Sequence, residues 1–336
     1  MRVTRCENPR FSRVPITDIL ATNLEKKATR DGYGAALLDI GAENPKVVVL
    51  DADLSGSTKT KKFSEKYPER FFNYGVAEQN LIGQAAGFAL SGLIPVASSF
   101  AMFAAGRAWE IFRNSVCYPH LNVKIAATHA GITLGEDGAS HQIIEDIALT
   151  RVIPGVTVLV PADYHQAAAA IKTAVAFNGP VYLRLGRPNV PSTYLATDTF
   201  AIGGSHVLQR GSKIVFIAAG VMVYEAWKAA ALLEKETGVK PTVIDAYSVK
   251  PLDEKTILTE TKDAKLVVTF EEHNIMAGLG SAVAELLAEK QPCRVHRIGL
   301  RDEFGQSGDA AALMKHYKLT AETMLPDLIA LAQSAK

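Results

Sequence analysis

THAGITLGEDGASHQ, residues 128–142, is the stretch on which the reading of this chain turns. It follows an apolar run, Val123-Lys124-Ile125-Ala126-Ala127, that reads as a buried strand. It leads into Ser140 and the set Ile143, Ile144 and Ile147, whose spacing predicts an amphipathic helix opening at Ser140. Between them lie Gly131, Gly135 and Gly138, the imidazoles of His129 and His141, and the acidic pair Glu136 and Asp137. Strand, polar loop, helix is the repeating unit of an open α/β sheet, and ligands collect where loops leave the carboxyl ends of its strands. Glycines let backbone approach a ligand closely, while His and Asp side chains offer donors and acceptors to several hydroxyls at once. A polar loop ending in a helix cap would account for any one of these residues. Their concentration in fifteen positions points to a binding site.

The same alternation extends outward in both directions. Upstream, residues 18–44 read as helical with an interruption near Asp31-Gly32, and 46–50 as a buried strand ending in a polar loop from Asp51 to Ser57. Residues 71–76 and 94–99 read as strands, and 77–90 and 101–115 as helices. Downstream, strands at 157–161 and 181–186 flank a helix at 163–176. Arg187-Pro188-Asn189-Val190-Pro191 then breaks the pattern, and a loop rich in Thr, Gly and Ser follows, so a domain boundary is expected there. The second half restarts with strands at 213–219, 241–247, 265–271 and 294–298, and helices at 223–237, 254–261 and 281–289, with two more near the C-terminus. The expected fold class is α/β: two consecutive domains, each a mostly parallel sheet flanked by helices, at 1–191 and 207–336 with a linker at 192–206. The segment Gly278-Leu279-Gly280-Ser281 lacks a dinucleotide fingerprint and reads as a tight βα turn. The second domain shows no obvious catalytic cluster.

Composition narrows the class. The 336 residues are 48% apolar and 21% charged with a net charge of +1, enough for two cores and without the field expected of a nucleic-acid or membrane-surface protein. Cys6, Cys117 and Cys293 are scattered without metal-ligand spacing, which fits a reducing compartment. The N-terminal MRVTRCENPRF has no apolar run of the signal-peptide kind, and the apolar stretch 81–105 is broken by Gln84, Pro95 and three serines. The expectation is a cytoplasmic protein that binds neither nucleic acid nor membrane.

Several other side chains stand at element ends. Glu78 falls in the first turn of the helix after the 71–76 strand, where free N–H groups favour a carboxylate, and its flanks are apolar enough to bury it. A buried carboxyl needs a partner, and a ligand nitrogen is one candidate. Phe100 and Phe103, usually core at that spacing, sit at the same sheet edge and could stack on a flat ring. Arg30, Ser57, His129 and Arg187 come from four separate element ends. Each alone reads as a solvated or capping residue, and together they could form a phosphate clamp, since Arg offers forked donors matched to phosphate oxygens.

With these residues assembled, the chain resembles the C-terminal half of transketolases, the thiamine diphosphate enzymes that move two-carbon ketol units between sugar phosphates. The resemblance spans nearly the whole chain and rests on Ala28-Thr29-Arg30, Asp51-Ala52-Asp53-Leu54, Gly75-Val76-Ala77-Glu78-Gln79, Ser99-Phe100-Ala101-Met102-Phe103, Leu185-Gly186-Arg187-Pro188-Asn189 and, most specifically, Gly135–Gln142, written GEDGASHQ. It implies that Glu78 bonds the aminopyrimidine ring nitrogen of the cofactor and thereby promotes formation of its carbon nucleophile. Phe100 and Phe103 would line the aminopyrimidine pocket, and Asp53 would lie beside the cofactor at a chain interface. His141 would contact the reacting hydroxyls of the donor and assist proton transfer. Asp137 would read the substrate's C2 hydroxyl, and Arg30, Ser57, His129 and Arg187 would hold the distal phosphate.

Two departures from the family pattern stand out. Gly106 occupies the position three beyond Phe103 where a third aromatic is common, so the pocket there would be wider or filled from elsewhere. The Gly-Asp-Gly motif with its trailing Asn, which carries Mg²⁺ and the diphosphate in the family, is missing from the sequence. The resemblance therefore implies a partner, an N-terminal transketolase subunit with the diphosphate-binding domain and the Mg²⁺ ligands, in an α2β2 heterotetramer. Other readings remain open at this point. They are the β subunit of a 2-oxo acid dehydrogenase, a deoxyxylulose-phosphate synthase-like enzyme, and a non-catalytic regulatory subunit.

Overall fold

A computed structural model describes residues 19–21 and 23–335. Asp18, Cys6 and the N-terminal segment considered above lie outside the described residues. Among the described residues the strands are β1 (Lys26–Ala28), β2 (Val47–Asp51), β3 (Phe71–Asn73), β4 (Ile94–Phe100), β5 (Lys124–Thr128), β6 (Thr157–Leu159) and β7 (Val181–Arg184) in the first half. There follow β8 (Asn189–Pro191), β9 (His206–Gln209), β10 (Ile214–Ala218), β11 (Thr242–Asp245), β12 (Ser248–Lys250), β13 (Leu266–Asn274) and β14 (Val295–Leu300). They build a seven-stranded sheet in the order β12-β6-β7-β5-β4-β2-β3, a five-stranded sheet β14-β13-β10-β11-β9, and the pair β1-β8.

Both large sheets are parallel except for one antiparallel edge strand each, β12 on β6 and β9 on β11. Helices cover both faces, which is why β2 and β5 are buried along their whole length. The fold class expected from the sequence is the one observed: two α/β units built on mostly parallel sheets. One apolar cluster runs through both, joining Leu50, Ala97 and Ile125 to Val215, Ile244 and Leu279. The second-half strand β12 completes the first sheet, a crossing that the linear pattern did not announce.

Parallel pairing puts the carboxyl ends of β2, β3, β4, β5 and β7 along one edge. Register sets Asp51 beside Ser98, Phe100 beside Thr128, and Ala127 beside Arg184, so the loops after these strands open side by side.

Four local expectations are corrected. The helix Thr29–Glu43 runs unbroken through Gly32, where any side chain would collide with the Tyr164 carbonyl. Glycine there serves close packing of two helices rather than a break. The β3 strand stops at Asn73 instead of reaching residue 76, because the Asn73 side chain accepts from the N–H groups of Asp53 and Gly75 and turns the chain away. The helix after the glycine loop is Asp146–Arg151, not one opening at Ser140. Gly131 N–H donates to Ile143 O at 2.9 Å and holds the intervening residues out of helical geometry, although Ile143, Ile144 and Ile147 are buried as their pattern required. Lys26–Ala28, read as part of a long helix, forms β1 because its backbone pairs with β8, and the helix begins only at Thr29. Short helices at Ser55–Thr58 and Lys61–Lys66 lie outside the expected alternation. The other main strands and helices lie close to where the alternation placed them, with Gly278–Ser281 a βα turn whose N–H groups at Leu279 and Gly280 are taken by the Glu271 carboxylate. Among the described residues no helix is long and apolar enough to cross a membrane.

The connection between the halves is itself packed. Thr193, Tyr194 and Phe200 are buried, and Asp163 ties down the first two. Its carboxylate caps the helix Tyr164–Ala176 by accepting from Gln166 N–H at 2.8 Å and accepts from Thr193 and Tyr194 N–H at 2.5 and 2.7 Å. A cap is worth about 1 kcal/mol and each bond to a charged group roughly 1.5–3 kcal/mol, so Asp163→Ala is expected to cost about 4 kcal/mol in urea unfolding, with Asp163→Asn costing less. A loss below about 1 kcal/mol would remove Asp163 from this role.

Candidate active site

Asp51 organises the first of the strand-end loops. Its buried carboxylate accepts from Leu54 N–H at 2.6 Å, Thr58 Oγ1 at 2.6 Å and Thr60 Oγ1 at 2.9 Å, folding residues 52–60 back over the sheet edge. Asp53 then takes a left-handed backbone, φ 63°, and is exposed, exchanging hydrogen bonds with Asn73. Ser57 enters the site through its carbonyl, which accepts from Arg30 at 3.0 Å.

Arg30 is brought to this edge by the pair β1-β8 and by Thr29, whose hydroxyl accepts from Gly186 N–H at 2.8 Å. That bond also sets Arg187, the next residue, beside Arg30. Arg30 Nη1 lies 3.0 Å from His129 Nε2. Arginine can only donate, so Nε2 accepts, and the ring proton is on Nδ1, where it is donated to Thr128 Oγ1 at 2.8 Å. His129 is 2% exposed, at φ 61°, and stacked on Phe100 at 3.8 Å between centroids. Burial, reinforced by the positive fields of Arg30, Arg187 and Lys59, pushes its imidazole down to about 3. Arg187 Nη1 donates to the Leu134 carbonyl and pairs with Glu136 at 2.9 Å.

Phe100 lies near-parallel to Phe103 with centroids 6.3 Å apart, and the edge of Phe103 meets His141 at 5.2 Å. Phe103 stands on a wide π-type turn, Met102–Arg107, a geometry often found at functional sites. A Cβ at Gly106 would touch Met102 at 3.8 Å and Ile143 at 4.0 Å, so those side chains fill the place of a third aromatic. Glu78, the first residue of the helix Glu78–Leu90, is 2% exposed. Its carboxylate lies 3.7 Å from Arg107, four residues beyond Phe103, which links it to the aromatic pair.

Phe100, Phe103, His129, His141, Arg30 and Ser57 are thus joined by direct contacts. Arg187 is held to the glycine loop through the Leu134 carbonyl and Glu136, and Glu78 pairs with Arg107 on the turn that carries Phe103. Asp137 and Asp53 are exposed, Asp137 at the tip of the glycine loop and Asp53 on the opposite strand-end loop. The linear reading missed Arg107, and it missed that the second half grips the glycine loop. Gln142 Nε2 donates to Ile132, Gly135 and Gln306 carbonyls at 3.0–3.1 Å, and Glu272 accepts from Thr133 N–H at 2.6 Å. The signal for the latter was two adjacent carboxylates, Glu271 and Glu272, in the buried run of β13. Among the described residues no cluster of His, Cys, Asp and Glu could hold a metal ion.

Residues 25–193 match the pyrimidine binding domain of transketolase, and residues 203–324 match the transketolase C-terminal domain. A protein of Methanocaldococcus jannaschii, provisionally named a transketolase C-terminal section, is 50% identical over 301 residues, covering 89% of this chain and 94% of that protein. A 6-deoxy-6-sulfo-D-fructose transketolase subunit of a Clostridium species is 39% identical over 302 residues, 90% of this chain and 94% of that subunit. A solved split-gene transketolase, an inactive tetramer of beta chains, superposes with a TM-score of 0.83 at 52% identity, covering 89% of this chain and 96% of that one.

The His129 environment has a measurable consequence. Its folded pKa lies below the unfolded value of 6.5, so the unfolded chain takes up the proton first. The stability linked to His129 is intact above about pH 6.5 and is lost as pH falls toward 3. Wild type should therefore lose stability across that window more steeply than His129→Asn, as followed by urea unfolding at a series of pH values. Parallel slopes for the two proteins would contradict the assignment.

Proposed function

The chain belongs to the transketolase family, and we propose that it is the C-terminal subunit of a split thiamine diphosphate-dependent transketolase. Assembled with a second polypeptide that carries the diphosphate-binding domain, it transfers a two-carbon ketol unit from a ketose phosphate to an aldose phosphate in the cytoplasm. The observation that carries this reading is the match, over 89% of the chain, to a transketolase C-terminal section and to a split-gene beta chain.

The residues present fit the pyrimidine half of the cofactor. A buried carboxylate at a helix start and a near-parallel aromatic pair suit a flat nitrogen heterocycle. When bound, thiamine diphosphate supplies the electron sink for breaking the bond next to a carbonyl. Glu78 would hold the ring nitrogen, Phe103 would pack on the ring with Phe100 behind it, and Asp53 would face the neighbouring chain. His141, kept upright by Phe103 and bonded to Ser140 Oγ at 3.0 Å, would contact the donor hydroxyls and move a proton there. Asp137 would accept from the C2 hydroxyl. Arg30 and Arg187 would bind the distal phosphate, Arg187 exchanging Glu136 for it. His129, neutral and engaged at both nitrogens, would aim Arg30 rather than add a charge. Mg²⁺ and the diphosphate would be held by the partner subunit in an α2β2 assembly, and the division of this chain into 1–191, 192–206 and 207–336 belongs to the same proposal.

Ketol transfer with thiamine diphosphate and Mg²⁺ is expected from the chain co-purified with its partner subunit and not from the chain alone. Substantial activity from the isolated chain would refute the split site. In the assembled enzyme, Arg187→Ala should raise KM for phosphorylated donors about tenfold or more while leaving unphosphorylated donors within a few-fold. Equal effects on both would take Arg187 out of the clamp.

A further inference from the structure

The three glycines of the 128–142 loop all have left-handed backbones, at φ 81°, 96° and 76° for Gly131, Gly135 and Gly138. Each lies against the second half of the chain. A side chain at Gly131 would collide with the Glu272 carboxylate, one at Gly138 would meet Ser307, and one at Gly135 would lie 3.4 Å from the Gly308 carbonyl. The loop is therefore moulded on the C-terminal domain, and the closest grip is that of Glu272.

Glu272 is 2% exposed at the end of β13. Its Oε1 accepts from Thr133 N–H at 2.6 Å, and its own carbonyl accepts from Arg184 Nη2 at 2.9 Å. Arg184 in turn makes a buried ion pair with Asp146 at 2.8 Å, and Tyr182 OH donates to the same carboxylate at 2.9 Å. The flanking residues of β13 hold the far end of the loop, with Asn274 N–H donating to Ile144 O at 2.8 Å and His273 Nε2 accepting from Ala148 N–H at 3.3 Å. Burying a carboxylate is costly unless its bonds are made, and an apolar residue at position 272 would leave Thr133 N–H without an acceptor in a dry place. A glutamate at 272 is thus explained by the loop and not by the core of its own domain.

We propose that Glu272 is a positioning residue for ketol transfer. By fixing Thr133 N–H and the path of Gly131, it sets the spacing between His129 at one end of the loop and Asp137 and His141 at the other. This rests on the transketolase reading above. Glu272 touches neither cofactor nor substrate and acts through the loop. Its effect falls on donor binding and turnover, while Glu78, Phe100 and Phe103, carried by other elements, keep the cofactor.

The test compares Glu272→Asp, which withdraws the acceptor by one methylene, with Glu272→Gln, which keeps an oxygen at the same reach. In the enzyme assembled with its partner, Glu272→Asp should raise donor KM about tenfold, the worth of one hydrogen bond, and lower kcat. Glu272→Gln should stay within about threefold of wild type, and thiamine diphosphate affinity should change less than about twofold in either. In the isolated chain, hydrogen exchange of the peptide spanning 128–142 should be faster in Glu272→Asp and near wild type in Glu272→Gln. Wild-type KM and wild-type exchange in Glu272→Asp would overturn the proposal, as would a loss that appears only as less folded protein at unchanged KM. If the wild-type assembly transfers no ketol unit, the transketolase reading fails. The exchange comparison then still decides whether Glu272 holds the loop.

Discussion

The glycine loop is built of short backbone-bonded turns at Gly135, Gly138, His141 and Gln142 rather than a continuous ladder, and side chains tie those turns to one another and to the rest of the chain. Gln142 does this from within, sharing its amide N–H groups among the carbonyls of Ile132, Gly135 and Gln306. Glu272 does it from beneath by accepting from Thr133. These bonds fix the distance between the His129 and His141 ends of the loop, so the geometry of the whole sheet edge depends on them. They also explain why the loop lies folded flat against a second sheet: both the Gln306 carbonyl and the Glu272 carboxylate belong to the other half of the chain.

The electrostatics follow from the same packing. Arg30 and Arg187 sit close together at the mouth of the site, and two neighbouring guanidinium groups repel one another unless acceptors intervene. Ser57 O and His129 Nε2 face Arg30, while Leu134 O and Glu136 face Arg187. A histidine placed there has to be neutral, and its tautomer is set by the arginine it faces. The exposed Glu136–Arg187 pair is worth little in water, so an incoming dianion could displace the carboxylate at small cost. Deeper in, the Arg184–Asp146 pair is buried and further bonded by Tyr182 and the Glu272 carbonyl, the arrangement in which a buried ion pair is tolerated.

Legibility in the sequence divided along physical lines. Alternating apolar runs and helical spacings were sufficient for the two sheets and nearly every helix, because burial imposes period on local sequence. Ser57, Glu78, Phe100, Phe103, His129, His141 and Arg187 could be proposed because they stand at or near the carboxyl ends of parallel strands, which pairing gathers on one edge, whereas Arg30 reaches that edge through the antiparallel pair β1-β8. What could not be read were contacts between residues far apart in the chain. Thr133 and Glu272 are 139 positions apart, and β12 crosses from the second half to finish the first sheet. The unbroken helix at Gly32 and the late helix at Asp146 belong to the same class, since a glycine used for close approach and isoleucines whose carbonyls are taken by distant N–H donors look locally like a break and a start.

The sequence by itself determined the α/β class, the parallel edge and the kinds of side chain that line it, since each follows from local periodicity and residue type. Only the tertiary structure decided that His129 accepts from Arg30, that Ser57 contributes a carbonyl, that Arg107 stands beside Glu78, and that the second domain holds the glycine loop in shape. Hydrogen-bond direction and burial are properties of what surrounds a group, and those surroundings exist only once distant segments have packed together.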